Sequence, residues 1–417
     1  MDNIDLLVEN SSFLLTMRGG RTPRSGKDLG DNGEIKNGAI AVSNGIIIET
    51  GTTEEISRKY KNPKNLINAR GHLVMPGFVD CHTHLVFGGS RENEMRMRLN
   101  GASYLDILKA GGGIHSSVRE TRKIEEEELF QVSKKRVLRM LAHGTGTIEI
   151  KSGYGLDKET EDKILRVADR IDRELPADIV KTFLGAHTIP ENTDRNTYIS
   201  WLKTGALEYF RDKAGFFDIF CEDGAFSPEE TFSILKAAKN AGFRLKIHAG
   251  QFSDSGIVGL VASSIGCLSA DHLDIISDDQ LKIMEKEKII AVFLPGASFY
   301  LGMDKFPDVN RFKNIPIALA TDFNPGSCPS FSMQMMVSLA CLKMKMSPEE
   351  ALSASTINAA WAVGKGLETG SLEAGKKADI LIMDVKNSAE IPYYFGCNLV
   401  RTLIKDGNVL RLGSGES

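Results

Sequence analysis

The stretch Pro76-Gly-Phe-Val-Asp-Cys-His-Thr-His84 joins a short apolar run to a pair of histidines. Side chains alternate along a β-strand, so His82 and His84 project to the same face. Two adjacent imidazoles can hold a metal ion, although the pattern His-x-His also occurs where both rings only pack or form hydrogen bonds. The place of this run in the fold therefore decides what the pair does.

Seven further apolar runs follow, and charged segments of helical composition lie between most of them. The eight runs span residues 78–81, 146–150, 179–184, 217–221, 245–247, 268–270, 289–294 and 317–320. Strands that alternate with amphipathic helices predict a parallel sheet. Eight such pairs predict an α/β fold of the (β/α)8 TIM barrel type, in which the chemistry sits at the C-terminal ends of the strands.

Both ends of the chain contain segments typical of short β-strands. Residues 38–51 alternate around an Asn-Gly turn, and residues 378–384 and 402–410 show the same character around an Asp-Gly-Asn turn. The 417 residues exceed the roughly 250 that a barrel needs, which leaves room for an appended module. The two ends could share one sheet.

The composition is typical of a globular enzyme. The net charge of -4 argues against a nucleic-acid partner. The first 15 residues carry acids where a secretory signal needs positive charge, and no apolar run approaches the length of a membrane span, so we expect no membrane association and a cytoplasmic location. The six cysteines show no Cys-x-x-Cys spacing, which argues against a disulfide framework or a structural zinc knuckle.

Histidines concentrate at the ends of the predicted barrel strands. Five of the eight lie there: His82, His84, His187, His248 and His272. We expect surface or structural roles for the other three, His72, His115 and His143. An acidic residue, Asp322, follows the eighth run. This clustering favours a functional site at the mouth of the barrel.

Three imidazoles and one carboxylate form a mixed nitrogen and oxygen ligand set that suits zinc or iron. We predict that the metal ligands are His82, His84, His248 and Asp322. A metal held in this way lowers the pKa of water to about 7, so the set predicts hydrolysis. We assign His272 as a proton donor or polarising group beside the metal, and His187 as a substrate contact.

These features resemble the amidohydrolase superfamily, in the motif of residues 76–84, in the single histidines of the fifth and sixth strands and in Ala320-Thr-Asp322. The resemblance implies a metal-bearing barrel with a composite β-sandwich domain formed by both termini. Binuclear members carry a bridging lysine after the fourth strand, where this chain has Cys221-Glu-Asp. One Zn2+ or Fe2+/Fe3+ ion per subunit is therefore expected.

The strand-rich ends and the resemblance together give expected domain bounds. We expect the sandwich to comprise residues 1–76 and 375–417, and the metal-dependent barrel to comprise residues 77–374.

Within the superfamily, the sequence is similar to the imidazolonepropionase family over nearly its whole length. The stretches that carry this similarity are residues 85–94, 110–114, 149–156, 183–187, 320–327 and 356–360. The resemblance implies hydrolysis of 4-imidazolone-5-propanoate to N-formimidoyl-L-glutamate in histidine catabolism, with a small molecule as the partner and a homodimer as the assembly.

The resemblance also implies a set of substrate contacts. Arg91 would hold the propionate carboxylate, which agrees with the preference of carboxylates for a planar guanidinium donor. Tyr154 and His187 would fix the ring. The opened product would meet Asn324, Gly326 and Ser327. The catalytic residues would be Asp322, which moves the proton from water to the leaving nitrogen, and His272, which stabilises the developing oxyanion and suits that role best when protonated.

One departure from the family concerns the residues after the fifth-strand histidine, where a carboxylate is usual. This chain reads His248-Ala-Gly-Gln251. Gln251 can hydrogen-bond the substrate ring or orient a water molecule, but a carboxamide is no general base at neutral pH. Either Asp322 and His272 move the protons, or the activity is altered.

Two other functions compete with this hypothesis. The first is another amidohydrolase-type hydrolysis or a deamination of a small heterocycle, since one barrel supports many reactions. Arg91 and the Tyr154 loop argue against it. The second is a non-catalytic scaffold, which the four intact ligands disfavour. The run Gly111-Gly-Gly113 lacks a following Gly-Lys-Ser/Thr, so we interpret it as a flexible loop over the barrel mouth and expect no nucleotide.

Overall fold

The computed structural model describes residues 4–19, 21–102, 106 and 110–410. Seven strands precede the barrel: β1 (Leu6–Glu9), β2 (Phe13–Leu15), β3 (Glu34–Lys36), β4 (Gly38–Ser43), β5 (Ile46–Thr52), β6 (Asn65–Asn68) and β7 (Leu73–Pro76). Four of them form a sheet in the order β5-β4-β1-β6. The predicted Asn-Gly turn joins β4 to β5, with positive φ angles of 50° at Asn44 and 75° at Gly45. This is the left-handed backbone that a tight hairpin turn requires.

The barrel is an eight-stranded parallel sheet whose neighbours follow chain order from β8 to β15. Its strands are β8 (Phe78–Asp80), β9 (Thr145–Lys151), β10 (Asp178–Ala186), β11 (Phe216–Cys221), β12 (Arg244–Ala249), β13 (Ser269–His272), β14 (Ile290–Phe293) and β15 (Ile317–Leu319). Every predicted apolar run overlaps one of these strands. The predicted TIM barrel is confirmed.

The barrel closes where the segments after its first and last strands meet. Thr83 and Phe323 form a parallel bridge. The amide of Asp322 donates to the carbonyl of His82 at 3.1 Å, and the amide of His84 donates to the carbonyl of Phe323 at 2.9 Å. Closure thus places both predicted ligand segments side by side.

Most of the helices cover the outside of the barrel and connect its strands, whereas the first one, Thr53–Lys59, packs on β4 and β5. In the described part of the chain they are α1 (Thr53–Lys59), α2 (Glu92–Leu99), α3 (Ile114–Lys123), α4 (Glu126–Ala142), α5 (Lys158–Glu174), α6 (Arg195–Lys203), α7 (Gly205–Phe210), α8 (Pro228–Asn240), α9 (Ile257–Ser264), α10 (Asp278–Glu287), α11 (Pro295–Tyr300), α12 (Met333–Met344), α13 (Pro348–Ala354), α14 (Ile357–Ala362) and α15 (Glu390–Tyr393), with 3-10 turns at Gly26–Gly30 and Val309–Phe312. Each helix among these residues is too short or too polar to cross a lipid bilayer.

The C-terminal strands return to the N-terminal ones. They are β16 (Ile380–Met383), β17 (Val400–Lys405) and β18 (Asn408–Leu410), and their sheet has the order β18-β17-β16-β7-β2-β3. Apolar side chains from both sheets form one buried cluster, which includes Leu14, Ile40 and Ile380. The composite sandwich formed by both termini is therefore confirmed as part of the fold.

The exact domain bounds at residues 76/77 and 374/375 stay a prediction. Parts of the predicted sandwich and barrel ranges, namely residues 1–3, 20, 103–105, 107–109 and 411–417, lie outside the described residues.

A buried ion cluster links the sandwich to the barrel. The ammonium of Lys405, whose side chain is 1% exposed, lies 2.9 Å from a carboxylate oxygen of Asp379 and 3.1 Å from one of Asp178 at the start of β10. Asp406 and Lys377 complete the cluster. Burial by itself lowers the pKa of Lys405, but the carboxylates of Asp379 and Asp178 outweigh it and raise that pKa above its ordinary value. Lys405 therefore stays charged at neutral pH.

Replacing Lys405 by methionine should destabilise the protein strongly, because it leaves the buried carboxylate of Asp379 without its counter-charge. We expect Lys405→Met to lower the free energy of unfolding by about 3–5 kcal/mol, measured by chemical denaturation. The matched control is Lys282→Met, which removes a solvent-exposed ion pair with Asp279 and should change stability little. Equal stability of the two variants would contradict this role of the cluster.

Candidate metal centre and substrate pocket

The C-terminal ends of the barrel strands bring the four predicted metal ligands together. His82 and His84 follow β8, His248 lies in β12, and Asp322 follows β15; all four are buried. The Nε2 atoms of His82 and His84 lie 3.5 and 3.6 Å from Oδ1 of Asp322. The ring centroids of His82 and His248 are 4.3 Å apart. Ligand atoms of His82, His84 and Asp322 lie within 4.8 Å of one another, and so do those of His82, His248 and His272.

The unpaired atoms of the site fit a metal ion. Nε2 of His82, Nε2 of His248 and Nδ1 of His272 are buried and have no hydrogen-bond partner among the described residues. Buried polar atoms are nearly always paired, so these nitrogens need a partner that the protein does not supply. Neutral imidazole nitrogen and carboxylate oxygen are suitable donors for a divalent ion.

Two carboxylates orient the ligand histidines from inside the barrel. Nδ1 of His82 lies 2.7 Å from Oδ2 of Asp271, and Nδ1 of His248 lies 2.9 Å from Oδ2 of Asp218. A proton held on Nδ1 by a carboxylate leaves the Nε2 lone pair available to a metal. Asp271 thus selects the tautomer of His82 that a metal site needs, and Asp218 lies at ion-pair distance from His248.

Two lysines balance these carboxylates. Lys151 lies 2.6 Å from Asp218 and 3.5 Å from Asp271, and Lys246 lies 2.8 Å from Glu149. All five of these side chains are fully buried. Burial alone raises the pKa of Asp218, but His248 and Lys151 outweigh it and hold that pKa well below its ordinary value. The network keeps Asp218 charged beside its histidine.

Sequence reasoning missed this network, although a signal was present. Each member interrupts an apolar barrel strand with a charge, as in Phe217-Asp-Ile219 and Leu245-Lys-Ile247. Charged side chains are almost never fully buried unless they are paired. Charges in several strands of one predicted barrel could therefore have indicated a buried network.

A cavity of about 450 Å³ opens beside the ligands. All seven predicted substrate contacts line it: Arg91, Tyr154, His187, Gln251, Asn324, Gly326 and Ser327. His84, His248, His272 and Asp322 line it as well, whereas His82 lies behind them. The structure thus brings the predicted residues to one pocket, and their individual roles remain predictions.

Histidine and tyrosine rings form one side of the pocket. The ring of His187 stacks on that of His84, with centroids 4.9 Å apart and an interplanar angle of 15°. Its Nδ1 lies 3.1 Å from the carbonyl oxygen of Gly153, and the adjacent Tyr154 is buried. His115, which we expected to have a surface or structural role, also lines the pocket.

The segment that carries Asp322 adopts a strained backbone. Asp322 has a φ of 56°, and His272 and Leu273 have φ values of 81° and 60°. Such left-handed conformations at non-glycine residues cluster at functional sites, where surrounding contacts hold them. One such contact is the hydroxyl of Ser327, which donates to Oδ2 of Asp322 at 3.0 Å.

Burial raises the pKa of Asp322 to about 7, and His248 and Ser327 oppose that rise.

Gln251, the residue that departs from the family pattern, is held in place through its backbone amide. The amide of Gln251 donates to Oε1 of Glu222 at 2.8 Å, and the amide of Phe252 donates to the same oxygen at 3.0 Å. Ser253 donates its hydroxyl to the other carboxylate oxygen at 2.7 Å. Glu222, which the sequence did not single out, therefore fixes the turn from which Gln251 reaches the pocket.

Comparison with known proteins agrees with this geometry. The model of the amidohydrolase family matches residues 73–292 and 294–410. The imidazolonepropionase of Alkaliphilus oremlandii (strain OhILAs) is 44% identical over 416 residues, which cover 98% of each chain. That of Geobacillus kaustophilus (strain HTA426) is 43% identical over 415 residues, 97% of each chain.

A solved structure agrees at the level of the fold. The zinc-bound adenosine deaminase from Xanthomonas campestris has a TM-score of 0.71 at 16% identity, over 98% of this chain and 93% of the deaminase. A barrel with a metal site at its mouth, a family model that covers most of the chain and full-length relatives above 40% identity lead to one conclusion. The chain belongs to the amidohydrolase family and, within it, to the imidazolonepropionases.

Proposed function

We propose that this protein hydrolyses 4-imidazolone-5-propanoate to N-formimidoyl-L-glutamate, the ring-opening step of histidine catabolism. The observation that carries the proposal is one pocket lined both by three of the four proposed metal ligands, His84, His248 and Asp322, and by Arg91. Its relatives of more than 40% identity over the full length bear the name of this activity.

The ion would be held by His82, His84, His248 and Asp322. When bound, a divalent ion there acts as a Lewis acid that polarises the ring carbonyl and activates water at neutral pH. We propose one Zn2+ or iron ion per subunit, because imidazole and carboxylate suit both. The zinc in the Xanthomonas deaminase supports the first choice.

Substrate binding uses opposite sides of the pocket. Arg91 pairs with the propionate carboxylate, because a guanidinium offers two parallel N–H donors to one carboxylate. Tyr154 and His187 hold the ring against His84, and Gln251 hydrogen-bonds a ring nitrogen through its carboxamide. The opened product meets Asn324, Gly326 and Ser327.

Two residues move protons and stabilise charge. Asp322 accepts the proton that the attacking water loses and returns it to the ring nitrogen as the C–N bond breaks. His272 donates a hydrogen bond to the carbonyl oxygen as negative charge develops there. Burial, followed by repulsion from His248, lowers the pKa of His272 well below its ordinary value. His272 therefore acts as a neutral donor, and not in the protonated form that the sequence favoured.

We further propose that the protein works in the cytoplasm as a homodimer and has no nucleic-acid or membrane partner. The resemblance to imidazolonepropionases supports the cytoplasmic location and the homodimer. The net charge of -4 supports the lack of a nucleic-acid partner.

The direct test follows the ultraviolet absorbance of freshly generated imidazolone propionate. We expect metal-loaded wild type to abolish the band and His248→Ala to leave it unchanged, because the variant lacks a ligand. The control His72→Ala removes a histidine beside Asp384, outside the pocket, and should retain activity. A metal-loaded wild type without turnover would reject the proposed substrate and favour another heterocycle.

The role of Asp322 as the general base can be tested through Gln251. If Asp322 moves the proton, Gln251→Glu should change kcat by less than about tenfold, because a second carboxylate is then redundant. The exposed Gln131→Glu is the matched control for the added charge and should leave kcat unchanged. A gain of about 10²-fold or more with Gln251→Glu would show that the site lacks a base and would contradict the assignment.

The buried carboxylates can be tested through metal affinity. Asp218→Asn removes the charge that orients His248, so we expect metal binding to weaken about 10- to 100-fold in competition with a chelator. The matched control is Asp212→Asn, at an exposed position just before β11, which should bind metal as wild type does. Wild-type affinity in Asp218→Asn would show that Asp218 contributes only to packing.

A further inference from the structure

We propose that Glu94 is a positioning residue that sets the direction of the Arg91 guanidinium and thereby the selectivity of the pocket for a carboxylate at a fixed distance from Asp322. This inference rests on the proposed function in one respect, which is that Arg91 meets the substrate carboxylate. Glu94 lines the pocket and is bound to Arg91 by two hydrogen bonds, through which we propose that it acts.

The contact between the two residues is a nearly buried, bidentate ion pair. Nε of Arg91 donates to Oε1 of Glu94 at 2.8 Å, and Nη2 donates to Oε2 at 2.7 Å. The side chains are 15% and 11% exposed. Glu94 therefore occupies the side edge of the guanidinium, which is formed by Nε and one N–H of Nη2. The end edge, formed by Nη1 and the other N–H of Nη2, takes no part in this ion pair. That end edge is the second one that can bind a carboxylate with two parallel hydrogen bonds.

Glu94 is itself held in place by a third contact. Its Oε1 also accepts a hydrogen bond of 2.8 Å from the amide of Gly113, the residue before helix α3. The carboxylate thus joins the start of α2 to the start of α3. An arginine side chain has several rotatable bonds, and this fixed partner restricts them.

The opposite side of the guanidinium packs on Gly326. A Cβ atom at Gly326 would overlap Nη1 of Arg91, so a larger residue there would force the guanidinium to move. The restriction is steric, because the backbone of Gly326 does not have a positive φ. Arg91 is therefore held between a carboxylate on one side and a bare backbone on the other.

This arrangement connects the anion anchor to the metal site. Oδ1 of Asn324 accepts hydrogen bonds from the amides of Gly326 at 2.8 Å and of Ser327 at 2.7 Å. The hydroxyl of Ser327 contacts Asp322. A continuous series of contacts thus runs from Glu94 through Arg91 to Asp322. A substrate carboxylate on the end edge of Arg91 lies at a distance from Asp322 that these contacts determine.

Charge and positioning predict opposite effects of removing Glu94. As a negative charge beside the anion site, Glu94 repels a carboxylate ligand, and its loss should then tighten binding. As a positioning residue, it keeps the end edge of Arg91 directed at the pocket, and its loss should weaken binding. The bidentate geometry and the Gly113 contact favour positioning.

The test compares Glu94→Gln and Glu94→Asp with the control Glu92→Gln, which changes an exposed carboxylate on the same helix. With imidazolone propionate, we expect Glu94→Gln to raise KM about tenfold or more while kcat stays within about threefold. Glu94→Asp keeps the charge but shortens the side chain, so it should not restore the wild-type KM. Glu92→Gln should behave as wild type.

A second readout uses glutarate, a simple dicarboxylate, and titration calorimetry with the folded, metal-loaded proteins. Its Kd should rise by the same factor as KM in both Glu94 variants. An unchanged or lower KM and Kd in Glu94→Gln would overturn the inference and leave the proposed function standing. Glutarate binding that depends on Glu94, in a wild type that does not turn over imidazolone propionate, would reject the proposed function and retain the inference.

Discussion

The site depends on two buried carboxylates, Asp271 and Asp218, which lie inside the barrel beside the predicted ligand histidines His82 and His248. Asp271 and Asp218 lie within 3 Å of Nδ1 of His82 and of His248, so each ring presents its other nitrogen to the same point. Burying such charges is costly unless they are paired, and Lys151 lies between the two carboxylates. The interior of the barrel is therefore a salt-bridged support for a metal site, and not only an apolar core.

Closure of the barrel supplies the second half of the arrangement. The segments that follow β8 and β15 lie side by side. Residues far apart in the chain therefore become neighbours, as in the bridge between Thr83 and Phe323. The loop after β8 carries Arg91, and the loop after β15 carries Gly326, on which its guanidinium packs. Three of the four predicted metal ligands, His82, His84 and Asp322, thus lie in the same two segments as Arg91 and Gly326, whereas His248 comes from β12.

After the fifth-strand histidine this chain has Gln251 in place of the carboxylate that the family pattern usually shows. Glu222 is a carboxylate close to this position, but its oxygens accept hydrogen bonds from the Gln251 and Phe252 amides and from Ser253. A carboxylate with these partners fixes a turn, and Glu222 is not among the residues that line the pocket. Asp322 is the carboxylate among the predicted metal ligands, and it lines the pocket.

The sequence by itself determined the strands, the barrel and the histidines at its mouth, because apolar runs and their spacing are local properties that periodicity reveals. It also indicated that both termini form β-strands. Tertiary structure alone decided which charges meet. The pairing of Asp218 with His248, the hydrogen bond from Gly113 to Glu94 and the fit of Gly326 against Arg91 join residues from different elements. Their partners depend on register and closure, which no local pattern specifies.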